Sequence, residues 1–195
     1  VTTGPIAGLQ AGKTGTEADR LDPSAFGGIR IASELATLAA TERGIRSASV
    51  RLPPSVHGVG DTGFVAQLAR VARSSGVAGY LGDGENRWAA VHRDDAATLY
   101  RLAIEGLANG TVPAGSVLHG IAEVGVPFRQ IANALATGLS VPAAPVKKRH
   151  FPAFLGMVAG LDITASSDAT RRLTGWTPTR RDLLADVVTT SSPSR

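Results

Sequence analysis

The 195-residue sequence has no cysteine. Disulfides, thiolate zinc sites and a cysteine nucleophile are therefore excluded. No apolar run approaches the roughly 18 residues a membrane span needs. No secretory leader pattern is visible, so a cytoplasmic protein is expected. Metal-ligand spacing is also lacking. The four histidines, His57, His92, His119 and His150, form no pair at helical zinc spacing, and no metal is expected. There is no internal repeat and no low-complexity segment. What is present is an ordinary globular balance, 43% hydrophobic and 18% charged, on a chain long enough to bury a core. The net charge of +4 is spread over amphipathic segments, with short clusters only at Lys147-Lys148-Arg149, Arg171-Arg172 and Arg180-Arg181. Solvated helix faces explain that pattern, and neither nucleic acid nor a membrane is an expected partner.

Hydrophobic periodicity divides the chain into alternating strands and helices. Val1 to Gly4 reads as a strand tail, and residues 4 to 28 as a long surface loop. A helix is predicted over 30–43, with Ile31, Leu35, Leu38 and Ala39 on one face and Gly44 as C-cap. Residues 47–52 form a strand, stopped by Pro53 and Pro54, which cannot donate to a ladder. A helix over 62–73 follows, with a stripe of Phe64, Leu68 and Val71. Residues 77–81 and 88–92 read as two strands of a hairpin around Gly82–Asn86. Asp94 or Asp95 caps a helix reaching Leu107. Residues 116–122 make another strand, and Pro127 opens a helix with Phe128, Ile131, Ala132 and Leu135 inward. Residues 142–145 are extended. Helical stripes at 151–158, 168–174 and 181–188 complete the pattern, with residues 191–195 as a disordered tail. Alternation of this kind means α/β with a mainly parallel sheet. Residues 47–52 and 116–122 are predicted to share it.

Three segments carry a resemblance. "RLPPSVHGVGD" resembles the strand-end motif of the extended and atypical short-chain dehydrogenases, the NAD-dependent epimerase/dehydratase group, with His57 where Tyr is frequent. "GDGENRWAAVHRDDAATLYRLAIEG" and "SSDATRRLTGWTPTRRDLLADV" resemble the two signatures that follow it there. The resemblance implies the C-terminal part of a Rossmann-like doubly wound parallel sheet with a smaller substrate-binding region. Residues 1–58 would be the late part of the dinucleotide domain. Residues 59–190 would be mostly the substrate region, with 88–122 returning to the sheet. The implied function is an NAD(P)-dependent oxidoreductase or sugar-epimerase-like protein. The alternative is a non-catalytic dinucleotide-binding sensor or scaffold of the same fold. NAD or NADP would be held mainly by a glycine-rich N-terminal half. Gly4, Gly8, Gly12 and Gly15 do not supply that loop, because no strand–turn–helix surrounds them.

The same resemblance implies site residues. Pro53, Pro54, Ser55 and Val56 would approach the nicotinamide through backbone. His57 and Arg87 would meet a small-molecule substrate, and Thr3, beside Thr2, would fill the catalytic Ser/Thr position. The group's Tyr-x-x-x-Lys pair, in which the cation lowers the phenol pKa, is lacking. Tyr80 and Tyr100 are the two tyrosines, and neither has Lys four residues on. The matching positions are Arg30 and Glu34, which read as an exposed i,i+4 ion pair. His92 reads as a structural hydrogen-bonder, and Asp94-Asp95 as caps rather than an acid/base pair. An apolar sheet edge left uncovered makes a homodimer possible.

Overall fold

A computed structural model describes residues 1–9, 12–22, 24 and 28–191, with main chain alone at 28, 29 and 191. Three strands form a parallel sheet in the order β1 (Thr2–Pro5), β2 (Ala48–Leu52), β6 (Ser116–His119). Val50 lies opposite Thr3 on one side and Leu118 on the other. The expectation that segments 47–52 and 116–122 share one parallel sheet is met over Ala48–Leu52 and Ser116–His119, while the Ala122 amide already bonds to Ala90. Helix α1 (Gly28–Ala39) covers one face, where Glu34 reaches Ser49 and Arg51. Helix α3 (Arg93–Asn109) covers the other, packing Leu99 and Ala103 against Val50 and Leu118. Strands covered on both faces are the doubly wound arrangement.

The chain leaves this sheet at Leu52 and joins a second one at Ser55. Pro53 and Pro54 carry no N–H, so neither ladder continues across them. The second sheet has β5 (Arg87–His92) in the middle. Strand β3 (Ser55–His57) is parallel to it and β7 (Glu123–Pro127) antiparallel. Strand β4 (Ala78–Tyr80) pairs in parallel with β8 (Ala143–Pro145). The expected hairpin of 77–81 with 88–92 is therefore absent. Gly82 and Gly84 do turn the chain at positive φ. After the turn, however, Gly84 and Asn86 give their carbonyls to the amides of Arg129 and Phe128, at the start of α4 (Phe128–Leu139). The ladder groups of β4 are left for β8, the segment expected to be extended.

The largest core surrounds Trp88. It takes Val65, Leu68 and Ala72 from α2 (Phe64–Ser75), Phe128, Ile131 and Leu135 from α4, Leu155 from α5 (Ala153–Val158), and Leu183 and Val187 from α7 (Leu183–Ser191). Each large side chain buried here contributes on the order of 1.5–3 kcal/mol. Helix α6 (Asp168–Thr174) leads through Gly175 to Trp176, which closes the α3 cluster. Gly44 sits at positive φ after the first helix, as expected of a C-cap. The inward face of that helix differs from the expectation. Glu34 is 3% exposed and Leu35 is 56% exposed. The segment expected to be a surface loop also packs inward, with Ile6 and Leu21 buried and Gly15 bridged to Ala165. Of the tail reading for 191–195, residues 192–195 lie outside the described residues, and Ser191 ends α7. Among the described residues no helix is long and apolar enough to cross a membrane.

Candidate functional site

Ligands of open α/β sheets gather beyond the carboxyl ends of the parallel strands. Here that rim is formed by Pro5, by Leu52 with Pro53 and Pro54, and by His119. Pro53 and Ser55 are buried, while Pro54 and Val56 are partly exposed. The Ser55 hydroxyl is buried and has no hydrogen-bond partner among the described residues. An orphaned buried hydroxyl at such a strand start is the kind of group that a bound polar molecule or a water satisfies.

The sequence-predicted residues do not gather at one point. Thr3 faces α3. Its hydroxyl lies 2.5 Å from the Tyr100 hydroxyl, and its carbonyl accepts from Arg30 Nη2 at 3.4 Å. Burial raises the Tyr100 phenol above its ordinary value, although Thr3 and Arg30 oppose the shift. Tyr100 is therefore a neutral hydrogen-bonding group rather than a ready base. Arg87, at the start of β5, is engaged by Asp162, with Nε–Oδ1 at 3.1 Å and Nη2–Oδ2 at 2.8 Å. Asp162 also accepts from the Arg87 amide at 2.7 Å. His57 lies at the end of β3, elsewhere again.

The exposed Arg30–Glu34 pair is overturned. Glu34 turns under α1 onto the sheet and binds Arg51 through Nη2 at 2.7 Å and Nε at 3.0 Å. Ser49 Oγ donates to the same carboxylate at 2.9 Å. The carboxylate comes so close to β1 that a Cβ on Gly4 would stand 2.9 Å from it, which is why that position is glycine. Arg51 Nη1 donates to the Asp19 carbonyl at 2.9 Å and faces His119 Nε2 at 3.4 Å. His119 Nδ1 is 2.8 Å from the Ser166 carbonyl, so Nδ1 holds the proton and Nε2 is the acceptor. Burial is the main cause that lowers the His119 pKa below its ordinary value, with Arg51 adding to it. A closed network thus forms around Glu34, while Arg30, one turn before it, is exposed and outside the network.

The second buried pair is His57–Asp186. His57 Nδ1 lies 2.9 Å from Asp186 Oδ2, and both side chains are buried. His57 Nε2 is buried without a partner among the described residues. The ring meets His92 edge-on at 5.4 Å. Nearby, Glu123 accepts from the Leu183 amide at 2.7 Å, and burial pushes its carboxyl above the usual range. His92 behaves as expected, accepting from the Asp94 amide at the start of α3. Asp95 does not cap that helix. Its two oxygens accept from the amides of Thr179 and Arg180, each at 3.0 Å, and its carbonyl from the Trp176 indole at 2.9 Å.

Sequence reasoning missed Arg51, Asp186 and Asp162 as partners. One signal was available. Glu34 follows Ile31 by three residues, and Asp186 lies between Leu183 and Val187, so each carboxylate occupies the apolar stripe of its helix.

Of the glycines in residues 4–15, Gly4, Gly8 and Gly15 are packed against side chains, with a Cβ on Gly15 standing 2.4 Å from Leu9, so these three serve packing. Gly15 thus accommodates a neighbouring side chain.

No family model matches the chain. It is 38% identical over 192 residues to an uncharacterised protein of Schizosaccharomyces pombe, covering 96% of this chain and 62% of that protein. It therefore spans about three fifths of the length of that relative. It is 30% identical over 140 residues to the 2-alkyl-3-oxoalkanoate reductase of Stenotrophomonas maltophilia, covering 72% of this chain and 41% of the reductase. Among solved structures it superposes on the dTDP-glucose 4,6-dehydratase of Streptomyces venezuelae, determined with NAD bound, with a TM-score of 0.72 at 18% identity, covering 97% of this chain and 57% of the dehydratase. The paired parallel strands, the Pro-Pro exit from the sheet and these likenesses agree: the chain has the Rossmann-like fold of the NAD-dependent epimerase/dehydratase group of short-chain dehydrogenases.

Proposed function

We propose that this chain is part of an NAD(P)-dependent oxidoreductase or epimerase-like protein, in which residues 1–58 border the dinucleotide and most of 59–190 holds a small-molecule substrate. The observation that carries this reading is the junction Pro53–Val56. It lies at the carboxyl ends of parallel strands, between two sheets, with an unpartnered buried hydroxyl on Ser55. Hydride transfer is the chemistry a nicotinamide supplies when bound. This chain's own residues would orient and shield. Pro53 and Pro54 border the ring, Ser55 offers one hydroxyl, and Thr3 with Tyr100 holds the edge strand against α3. The reading takes Thr3 as the Ser/Thr of the site, and Arg87 as a substrate contact only when it exchanges Asp162 for a substrate anion. For the 195-residue chain by itself, a homodimer built on the β1 edge, which no described strand pairs, is the proposed association state. The cytoplasm is the proposed location, consistent with the absence of cysteine.

A second reading is favoured by one observation. Glu34, at one of the two positions where the acid/base pair of the group would lie, is tied to Arg51. A protein so built could hold a dinucleotide without turning it over, as a sensor or scaffold.

The test uses the full-length protein that contains this chain. Titration with NADH and NADPH, followed by single-turnover assays on carbonyl substrates, separates the readings. Oxidation of the bound nicotinamide supports the enzyme. Tight binding without turnover supports the sensor, and no binding overturns both. The 195-residue chain alone should bind either dinucleotide no better than millimolar, about −4 kcal/mol, by titration calorimetry. Micromolar binding would mean that the residues described here cradle the pyrophosphate after all.

A further inference from the structure

Helix α5 and the short helical turn before it, Lys148–His150, wall an open groove of about 720 Å³. Lys148 and Arg149 line it from the turn, Ala153, Phe154 and Met157 from the helix, and Phe151 from the junction. Phe154 and Met157 are three positions apart, so they share one face of α5. Leu155 and Val158 take the other face and enter the core around Trp88. Phe154 is 55% exposed and Met157 39%. The walls of the groove are nevertheless fixed. The Phe154 ring lies 6.0 Å from that of Phe64, which packs in turn on Trp88. A Cβ on Gly156 would stand 2.8 Å from the Lys148 carbonyl oxygen, so helix and turn touch through a glycine. The Phe151 amide donates to that same carbonyl at 3.2 Å. A groove built before its ligand arrives spares part of the ordering cost of binding.

Charge is distributed as unevenly as apolar surface. Lys148 and Arg149 are exposed and make no ion pair among the described residues. The surrounding sequence supplies no counter-charge. No Asp or Glu occurs between Glu123 and Asp162, a stretch that carries Arg129, Lys147, Lys148 and Arg149. Of these four, Arg129 is taken by Glu85. The groove thus has an apolar half on α5 and a cationic half on the turn. A small anion would leave Phe154 and Met157 in water, and a plain hydrocarbon would leave the cations unanswered. A molecule with both parts answers both.

We infer that this groove binds an amphiphilic carboxylate, its alkyl chain laid along Phe154 and Met157 and its carboxylate held by Lys148 and Arg149. Neither Arg87 nor any residue of 53–56 lines the groove. The inference therefore goes beyond the dinucleotide reading and holds or fails apart from it.

Calorimetric titration of the 195-residue protein with sodium decanoate, kept below its micelle concentration, tests this. Butyrate and decyltrimethylammonium are the controls. Decanoate should bind saturably and about tenfold or more tighter than butyrate, since each methylene fully buried is worth about fourfold. The ammonium carries the same tail with the opposite charge, and it should bind about tenfold or more weaker than decanoate. Phe154→Ser should weaken decanoate binding about tenfold. Should that change disturb the contact with Phe64, Met157→Ser carries the same test from a second exposed position. Lys148→Ala together with Arg149→Ala should bring decanoate down to the level of the ammonium. Butyrate as tight as decanoate, an ammonium as tight as decanoate, or decanoate binding that these variants leave unchanged each overturns the inference. Cosedimentation with phosphatidylglycerol vesicles in the absence of saturable decanoate binding also overturns it, since the face would then meet a membrane rather than a single molecule.

Discussion

Among the described residues two buried pairs join a carboxylate to a base, one on each three-stranded sheet, and they are finished differently. Under α1, Glu34 meets Arg51, and the remaining donors and acceptors are taken by Ser49, Asp19 and His119. Beside α7, Asp186 meets His57, and the far nitrogen of the ring has no partner. The first pair closes its hydrogen bonds, and the second leaves one open. The same ingredients, a carboxylate on an apolar helical stripe and a base at the sheet, yield a sealed structural knot in one place and a group with unused capacity in the other. What separates them is the count of neighbours able to complete the hydrogen bonds. A helix-borne carboxylate therefore says little about function until its partner's other contacts are known.

The contrast is broken most forcefully at Arg51. Arg51→Leu would leave Glu34 buried and uncompensated, and stability should fall by about 3–5 kcal/mol in urea denaturation. Adding Glu34→Leu to it should restore most of that loss, because the stranded charge is then gone. If the double variant is as unstable as the single, the knot does more than neutralise itself.

The second pair should matter less. Asp186→Ala removes one charge-assisted hydrogen bond from His57, and about 1.5–3 kcal/mol should be lost. Asp186→Asn keeps an acceptor for Nδ1 and should recover part of it. A loss as large as that of Arg51→Leu would show that the orphaned end of His57 is better compensated than the geometry indicates.

Acid should sharpen the difference further. His119, which completes the first knot, has its pKa lowered by burial from the ordinary 6.5. Below that ordinary value the unfolded chain takes up a proton that the folded one resists. Its contribution is thus fully present above pH 6.5 and is lost as pH falls toward the lower folded value. Stability measured by denaturation between neutral pH and pH about 5 should decline, and His119→Gln should flatten that slope.

The smallest effect belongs to the ion pair at the surface. The Arg87 guanidinium holds the Asp162 carboxyl below its ordinary 3.8, so its contribution persists down to that pH and is lost only as pH falls further. The side chains are 42% and 25% exposed, so solvent screens them. Asp162→Asn should cost no more than about 1 kcal/mol.

Much of the fold was legible because local rules and the final packing agree. The strand at 48–52 is short, apolar at alternate places and stopped by two prolines. The helix from Phe128 buries the stripe its periodicity marks out. The site was less legible, and the reason is specific. Glu34 and Leu35 are neighbours, and a rule that sends Leu inward and Glu outward reverses them. That rule has no access to Arg51, 17 positions away. Asp186 was overlooked for the same reason, with its base 129 positions distant. The hairpin failed differently. The glycine turn was read correctly, but its carbonyls were already committed to α4, a fact no window of ten residues contains. Long-range pairing decided each of these cases, and local pattern has no term for it.

The clip at Asp95 bears on the time course of folding. Trp176 returns across 81 positions to place its indole on the Asp95 carbonyl, and the amides of Thr179 and Arg180 then take the carboxylate. Closing a loop of that length costs chain entropy before any contact repays it. Val50, Leu99 and Leu118 can meet without waiting for it, while the surface that Trp176 covers stays wet until the clip engages. Contacts made after the rate-limiting step set how quickly a protein comes apart rather than how quickly it forms. The stretch Trp176–Arg180, clipped to one aspartate, thus acts as a latch on the lifetime of the folded state.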